Sequence, residues 1–427
     1  MQLADWLAHQ QAQHPKTIEL GLERVREVAQ RLALLPWPIP TIIIGGTNGK
    51  GSTSAFLTAL ARAAGLRVGT YTSPHLQRYN ERIAIDDAPV DDALLVSAFE
   101  RIEQAREDVS LTFFEYGTLA ALEIFRSQRI DVALLEVGLG GRLDATNIVD
   151  ADVAVLCSVG LDHQDWLGPT VEHIGREKAG IFRAERPVIL GSAEMPASVR
   201  TALAELRCAA YWIDADFRIE PAGEGGRWSW RGWAQSFESL PPPALQGPIQ
   251  PRNAATAIAA FLELFKTRLP QAPPIDASIV AQALQSVRLR GRFQRLPPRE
   301  VGEPEWILDV AHNEDSARML AASLRGLPRA TRTLAVVGVL GDKDADGILR
   351  QLDGLIDQWV LCGLEGARGG TPEALRARLP ADLPCVALAP DVAHGCATAR
   401  ALAGAEDRIV VFGSFHVVGP ALDWLGI

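Results

Sequence analysis

The sequence predicts an α/β protein of two domains, the first built on a mostly parallel sheet and the second a smaller α/β unit. Three observations carry this expectation. Apolar runs of strand length alternate with helical segments, each run empties into glycines or polar side chains, and the alternation stops near residue 290 and restarts. A chain of 427 residues also exceeds the length over which one core usually keeps growing.

The first run, Thr41–Ile44, leads into Gly45-Gly46-Thr47-Asn48-Gly49-Lys50-Gly51-Ser52-Thr53, with a helix expected from Ser54 to Ala64. Glycines let successive backbone N–H groups face one anion, and a helix N-terminus adds its positive dipole. The loop therefore reads as a phosphate cradle, with Lys50 reaching the β/γ-phosphates and a hydroxyl holding Mg²⁺. It departs from GxxxxGK[ST], because Ile44 stands where the first glycine belongs and Gly51 follows the lysine; the hydroxyl role moves to Ser52. A plain glycine-rich turn is the competing reading.

Val68–Tyr71, Val132–Leu135 and Val153–Cys157 read as further buried parallel strands. Each ends in polar groups: Thr72-Ser73-Pro74-His75, Glu136-Val137-Gly138-Leu139-Gly140-Gly141-Arg142-Leu143-Asp144, and Leu161-Asp162-His163-Gln164-Asp165. Open α/β sheets bind ligands at the carboxyl ends of their strands. Three adjacent strand ends would thus offer Ser73, Glu136 and His163, a hydroxyl, a carboxylate and an imidazole for which a metal is an economical explanation. Taken singly, each is ordinarily a loop polar group, and Glu136 could simply cap its loop. Lys178 sits in the small and apolar turn Ile174 to Ile181; alone it reads as a surface cation.

From Ala222 to Trp233 the pattern turns glycine-rich and aromatic, predicting a short antiparallel hairpin with no assigned role. Pro241-Pro242-Pro243 then breaks the chain, and helices are expected over Asn253–Thr267 and Ala277–Val287. The junction falls at Arg290-Gly291-Arg292-Phe293, giving domains 1–290 and 291–427. Strands follow at Trp306–Val310, Leu334–Val339, Gln358–Cys362 and Ile409–Phe412. Asp309 could accept hydrogen bonds from ribose hydroxyls and His312 could orient a small substrate, with Ser414 and His416 placed similarly after the last strand. Each histidine alone is more often structural; together they point to a cleft facing the first domain.

Composition narrows the classes. Hydrophobic residues at 48% and charged ones at 22% are ordinary for a globular chain, and a net charge of −10 speaks against general nucleic-acid binding. No apolar run approaches the ~20 residues of a membrane span, and the start lacks a signal-peptide pattern. Five scattered cysteines without a CxxC pair disfavour disulfides and zinc, so a cytoplasmic location is expected.

Six motifs in order, GTNGKGS at 46–52, TSPH at 72–75, EVGLGGRLDATN at 136–147, LDH at 161–163, REKAGI at 176–181 and DVAHN at 309–313, closely resemble one family. It is the bacterial bifunctional dihydrofolate synthase/folylpolyglutamate synthase family of the Mur ligase superfamily. The likeness runs from Lys16-Thr17-Ile18 to Gly413-Ser414-Phe415-His416. It implies an N-terminal P-loop ATPase domain, a C-terminal Rossmann-like domain, and ATP-dependent joining of L-glutamate to 7,8-dihydropteroate and to reduced folates through an acyl phosphate. It also implies ATP contacts at Thr47, Asn48, Gly49, Lys50, Asn253, Arg292 and Asp309, and Mg²⁺ ligands at Ser73, Glu136 and His163, with Ser52 on the phosphate side. Two Mg²⁺ ions and a monovalent cation are the implied metals. Lys178 matches a lysine carbamylated in the family. Catalytic roles are expected for Lys50, Glu136, His163, Lys178 and His312.

Dihydropteroate segments are implied at Glu19, Leu20, Gly21, Leu22, at Thr112, Phe113, Phe114, Glu115, and at Leu143, Asp144, Ala145, where apolar and aromatic walls suit a flat pterin. Of the two phenylalanines, one is expected to touch ligand. Ser414 and His416 are assigned to glutamate. A monomer is expected. The rivals are a Mur ligase acting on a nucleotide-linked precursor, for which the stretch before Ile42 leaves little room, a catalytically silent folate- or nucleotide-binding protein, and a P-loop kinase or GTPase.

Overall fold

The computed structural model describes the whole chain except residues 15, 17, 223, 224, 234, 299, 301, 367 and 380–382. Thr17 of the family likeness and residues 223 and 224 of the expected hairpin therefore lie outside the described residues. The chain divides into two compact units: Met1–His75, Tyr79–Ala244 and Pro251–Val287 form the first, and Leu76–Arg78, Leu245–Gln250 and Arg288–Ile427 the second.

In chain order the first unit carries α1 (Leu3–Gln13), α2 (Glu23–Arg31), β1 (Thr41–Gly45), α3 (Lys50–Ala63), β2 (Val68–Tyr71), β3 (Ile83–Ile85), β4 (Ala88–Pro89), α4 (Asp92–Arg106), α5 (Phe113–Ser127), β5 (Val132–Glu136), β6 (Val153–Leu156), α6 (Gln164–Leu167), α7 (Val171–Ala179), β7 (Pro187–Leu190), α8 (Ala197–Glu205) and β8 (Ala209–Trp212). Then follow β9 (Arg218–Pro221), β10 (Trp228–Arg231), β11 (Ser236–Leu240), α9 (Gln250–Arg268) and α10 (Ala277–Ser286). The main sheet runs β4-β3-β2-β5-β1-β6-β7-β8. It is parallel from β2 to β8 and antiparallel at the β3 and β4 edge.

Strands β1, β2, β5, β6 and β7 are buried along their whole length, which is why they read as continuous apolar runs rather than alternating ones. After β1 the chain crosses to β2 on one side, while β6 lies on the other, so β1 ends at the sheet's switch point. This order corrects one expectation. The ends of β2, β5 and β6 are not three in a row, because β1 with its glycine loop stands between β5 and β6.

Two further expectations change. Helix α3 begins at Lys50, four residues earlier than the apolar periodicity indicated. Gly49, at φ 91°, turns the backbone directly into the helix, a conformation open to glycine at little cost. The hairpin expected within Ala222 to Trp233 is instead a three-stranded antiparallel sheet, β11-β10-β9, of which that segment supplies β10 while β9 precedes Ala222 and β11 follows Trp233.

The second unit carries β12 (Gln294–Leu296), β13 (Glu305–Asp309), α11 (Glu314–Arg325), β14 (Thr333–Val337), α12 (Ala345–Arg350), β15 (Gln358–Cys362), α13 (Pro372–Ala377), β16 (Cys385–Ala389), α14 (Val392–Leu402), β17 (Arg408–Phe412) and α15 (Phe415–Leu425). Its sheet runs β12-β13-β17-β14-β15-β16, parallel except for edge strand β12. Apolar layers on the two faces of this sheet form its core. All five cysteines are free thiols. Among the described residues, no helix is long and apolar enough to cross a membrane.

Candidate functional site

The phosphate loop is fastened to the segment that leaves β6. Thr47 N donates to Ser158 O at 2.9 Å, and the Thr47 hydroxyl both donates to Gly160 O and accepts from Gly160 N. Ser158 Oγ accepts from Asn48 N and donates to Asn48 O, each at 3.0 Å. Thr47 and Asn48 thus spend these groups on holding the loop's shape. The first-turn amides of α3 that follow, from Lys50 to Ser52, have no partner within the helix, which is the usual state of a helix start and the basis of its affinity for anions.

The cradle needs its glycines. A Cβ on Gly46 would stand 3.0 Å from the Cys157 Cβ, and one on Gly49 would stand 3.0 Å from Asn253 Oδ1. Asn253, in the first turns of α9 and buried, therefore touches the loop. Ser52 is buried in the first turn of α3.

Two lysines converge on one carbonyl. Lys50 Nζ donates to Gly46 O at 2.9 Å and to Thr47 O at 3.3 Å, and Lys178 Nζ donates to Gly46 O at 3.1 Å. Lys178 is 5% exposed and lies in the last turn of α7, neither in a turn nor on the surface. Burial first, and then the like charge of Lys50, pull its ammonium down from 10.5 to about 7, against the opposing pull of Asp162 and Asp144. The side chain is an amine poised to be neutral.

Glu136 is the last residue of β5, opposite Ile44 of β1, and is 4% exposed. Ser73 follows β2 and is half-buried. His163 follows β6 at φ 52° and leads α6, with its N–H donated to Asp162 Oδ1 at 2.8 Å. Among the described residues no group of three or more His, Cys, Asp or Glu gathers as a metal site. The expected set holds just two such side chains, Glu136 and His163, with hydroxyls making up the rest. A carboxylate, hydroxyls and one imidazole at neighbouring strand ends fit a hard divalent cation beside a phosphate loop.

The three expected pterin segments come together on the other side of the β5 loop. Gly21 N donates to Leu143 O at 3.3 Å, and Arg24 pairs with Glu19 at 3.3 Å and Glu115 at 3.2 Å. Leu20 and Leu22 flank that turn, half-buried. Thr112 and Glu115 form a reciprocal capping box at the start of α5. Phe113 packs edge-on to Tyr79, with the Arg82 guanidinium 5.4 Å from its ring centre. Phe114 lies against Tyr71, and Gly138 leaves it room: a Cβ there would stand 2.6 Å from the ring. Both phenylalanines are half-exposed.

Asp144 is buried and accepts from Gly138 N, Leu139 N, Thr146 N and Thr146 Oγ1. It organises the loop from within, beside buried Ala145. Burial raises its carboxyl above the usual range although these donors oppose the rise.

In the second unit both Asp309 oxygens accept backbone N–H groups, from Phe293 and Ala311, each at 2.8 Å. Burial raises its carboxyl while the Arg292 charge opposes the rise. The Arg292 guanidinium lies 5.1 Å over the Phe415 ring. His312 Nδ1 donates to Val310 O at 2.8 Å, which turns Nε2 away from that carbonyl. Ser414 is buried as the cap of α15, and His416 is exposed.

Sequence reasoning passed over Ser158, Arg24 and Gly138. Position could have revealed Ser158, since it too follows a buried strand of the sheet.

A family model described as the Mur ligase middle domain matches residues 44–211, and one described as the Mur ligase glutamate ligase domain matches residues 291–415. The chain is 42% identical over 422 residues to the dihydrofolate synthase/folylpolyglutamate synthase of Escherichia coli, covering 99% of this chain and 95% of that one. It is 40% identical to the Haemophilus influenzae protein of the same description, covering 97% and 96%. Among solved structures, E. coli FolC in complex with DHPP and ADP superposes with a TM-score of 0.91 at 41% identity, covering 100% of this chain and 98% of that one. The Yersinia pestis bifunctional folylpolyglutamate synthase/dihydrofolate synthase complexed with AMPPNP and a Mn ion gives 0.90 at 41%, with the same coverage. Full-length identity of this order, on a matching pair of α/β units, means that the chain belongs to the dihydrofolate synthase/folylpolyglutamate synthase family of Mur ligases.

Proposed function

We propose that this protein joins L-glutamate to 7,8-dihydropteroate, forming dihydrofolate, and adds further glutamates to reduced folates. Relatives in the family carry both activities in their names, and solved relatives hold ADP or AMPPNP, Mn, DHPP and L-glutamate. The observation that carries the dihydropteroate half is the gathering of the 19–22, 112–115 and 143–145 segments around Arg24 and the β5 loop. Half-exposed aromatic rings there suit a flat pterin.

The reaction follows from the poor leaving ability of a carboxylate oxygen. The substrate carboxylate attacks the γ-phosphorus, the bond to the ADP oxygen breaks, and ADP leaves with the electron pair. The glutamate amine then attacks the acyl carbon, phosphate departs with its C–O pair, and the nitrogen loses a proton. Lys50 and the first amides of α3 hold phosphate oxygens while charge shifts between them. Thr47 and Asn48 keep the loop in shape, and Asn253 contacts the nucleotide beside Gly49. Nucleotide roles are assigned to Arg292 and Asp309, a substrate-orienting role to His312, and glutamate to Ser414 and His416. Ser52, Ser73, Glu136 and His163 would hold two Mg²⁺ ions, which supply charge neutralisation at the phosphates. A monovalent cation belongs to the same reading.

Carbamylated Lys178 completes it. Carbamylation turns an amine that burial and Lys50 hold near neutrality into an anion, which is attracted to Lys50 and Mg²⁺ where an ammonium would be repelled. A monomer in the cytoplasm, with domains 1–290 and 291–427, is the accompanying assignment. Dihydropteroate labelled with ¹⁸O in its carboxylate tests the chemistry. One labelled oxygen should appear in the released phosphate, and unlabelled phosphate alongside amide product would refute the acyl phosphate.

A further inference from the structure

The tryptophan-rich segment 228–233 has no place in the chemistry above, yet it is tied to the helix that carries Asn253. The Trp230 ring is 1% exposed, and its indole N–H donates to the Ala255 carbonyl of α9 at 3.2 Å. The Trp233 indole donates to Glu263 Oε1 further along the same helix at 3.1 Å, and its ring stacks on Tyr211 of β8 at 3.9 Å between centres. Phe217 and Phe237 enclose Trp230. Gly232 lets the chain fold over the indole, since a Cβ there would stand 2.1 Å from the ring. The small sheet thus holds α9 through Trp230, and the connection between β10 and β11 holds it again through Trp233, which also stacks on Tyr211 of the main sheet.

The end of α9 that carries Asn253 gains most from the first of these contacts. Around Asn253 its buried positions are small, Ala254, Ala255 and Ala257, while the large buried side chains Phe261, Leu264 and Phe265 lie further along the helix. Near Asn253 methyl groups therefore interlock only weakly with neighbours, and the indole hydrogen bond to Ala255 adds a directional hold there. A helix rises about 1.5 Å per residue, so a slide of that size would carry Asn253 off the Gly49 face it now touches.

We propose that Trp230 is a positioning residue for the nucleotide: through its hydrogen bond to Ala255 it sets the axial position of α9 and so holds Asn253 against the phosphate loop. This rests on the reading of Asn253 as a nucleotide contact. The sheet also offers a built-in control. Trp228, likewise buried, donates its indole N–H to Pro241 O at 3.0 Å, away from α9.

The test is calorimetric binding of MgADP to the full-length protein and to Trp230→Phe, Trp228→Phe and Asn253→Ala, at a temperature where circular dichroism shows each folded. KM values for ATP and dihydropteroate accompany it. Trp230→Phe should weaken MgADP binding and raise the KM for ATP about fivefold, the worth of one hydrogen bond, with the KM for dihydropteroate unchanged. Trp228→Phe should lower the melting temperature comparably and leave MgADP affinity as it was. Equal weakening in both tryptophan variants, or none in Trp230→Phe while Asn253→Ala binds poorly, would overturn the positioning role alone. Unaltered affinity in Asn253→Ala would overturn the underlying contact and the proposal with it.

Discussion

Lys178 makes the sharpest demand on the account. A lysine reacts with carbon dioxide only as the neutral amine: the nitrogen lone pair attacks the carbon, one C–O π bond opens onto oxygen, and a proton leaves the nitrogen. At the ordinary value of 10.5 about one amine in a thousand is neutral at pH 7.5, whereas at about 7 the neutral form is the majority. The buried setting beside Lys50 therefore enriches the reactive form several hundredfold, by about the ratio of those two fractions. The expectation is that protein equilibrated with ¹³C-bicarbonate shows one carbamate carbon by NMR, absent in Lys178→Met, and that stripping carbon dioxide lowers turnover reversibly. The same displacement sets a stability trend. Between about pH 7 and 10.5 the unfolded chain binds the Lys178 proton and the native protein does not, so this residue's contribution rises with pH across that window. No bicarbonate-derived signal at saturating carbon dioxide, with activity indifferent to its removal, would refute the reasoning.

Other perturbations separate the parts of the site. Lys50→Ala removes an ammonium held against the Gly46 and Thr47 carbonyls and should cut ADP formation by about 10³-fold or more; a coupled ADP assay giving persistent turnover would sink the phosphate-loop assignment. Gly49→Ala forces a side chain into φ 91° and against Asn253, at about 1–3 kcal/mol, so calorimetry should find MgADP affinity down about tenfold; unchanged affinity would count against this loop as the cradle. Gly138→Ala places a methyl 2.6 Å from the Phe114 ring and should raise the KM for dihydropteroate while sparing that for ATP. Equal changes in the two constants would remove Phe114 from the pterin wall.

Much of this is legible in the sequence because the chemistry sits at the ends of buried strands. Ile42 to Ile44 and Val132 to Leu135 are apolar on both faces, and the abrupt change to Gly46 or Glu136 marks where a sheet opens to ligand. Sheet order was not legible, since nothing in the residues themselves says that β1 lies between β5 and β6. Nor was the burial of Lys178, whose neighbours Arg176 and Glu177 give its segment a surface character. Strand β16 escaped notice because its residues alternate toward solvent at an edge, and β11 because Ser236–Leu240 is short and largely exposed. Thr112 and Asp144 illustrate a subtler gap. Motif position points to ligand contact, while the structure shows both side chains satisfying local backbone groups.

The most direct test of the central claim is to incubate the pure protein with MgATP and L-glutamate, with 7,8-dihydropteroate in one reaction and tetrahydrofolate in another, and to follow ADP and products by mass spectrometry. A bifunctional ligase gives a glutamylated product in both, each matched to one ADP. Product with tetrahydrofolate alone would contradict the dihydropteroate assignment, and no glutamylated product in either would contradict the account as a whole.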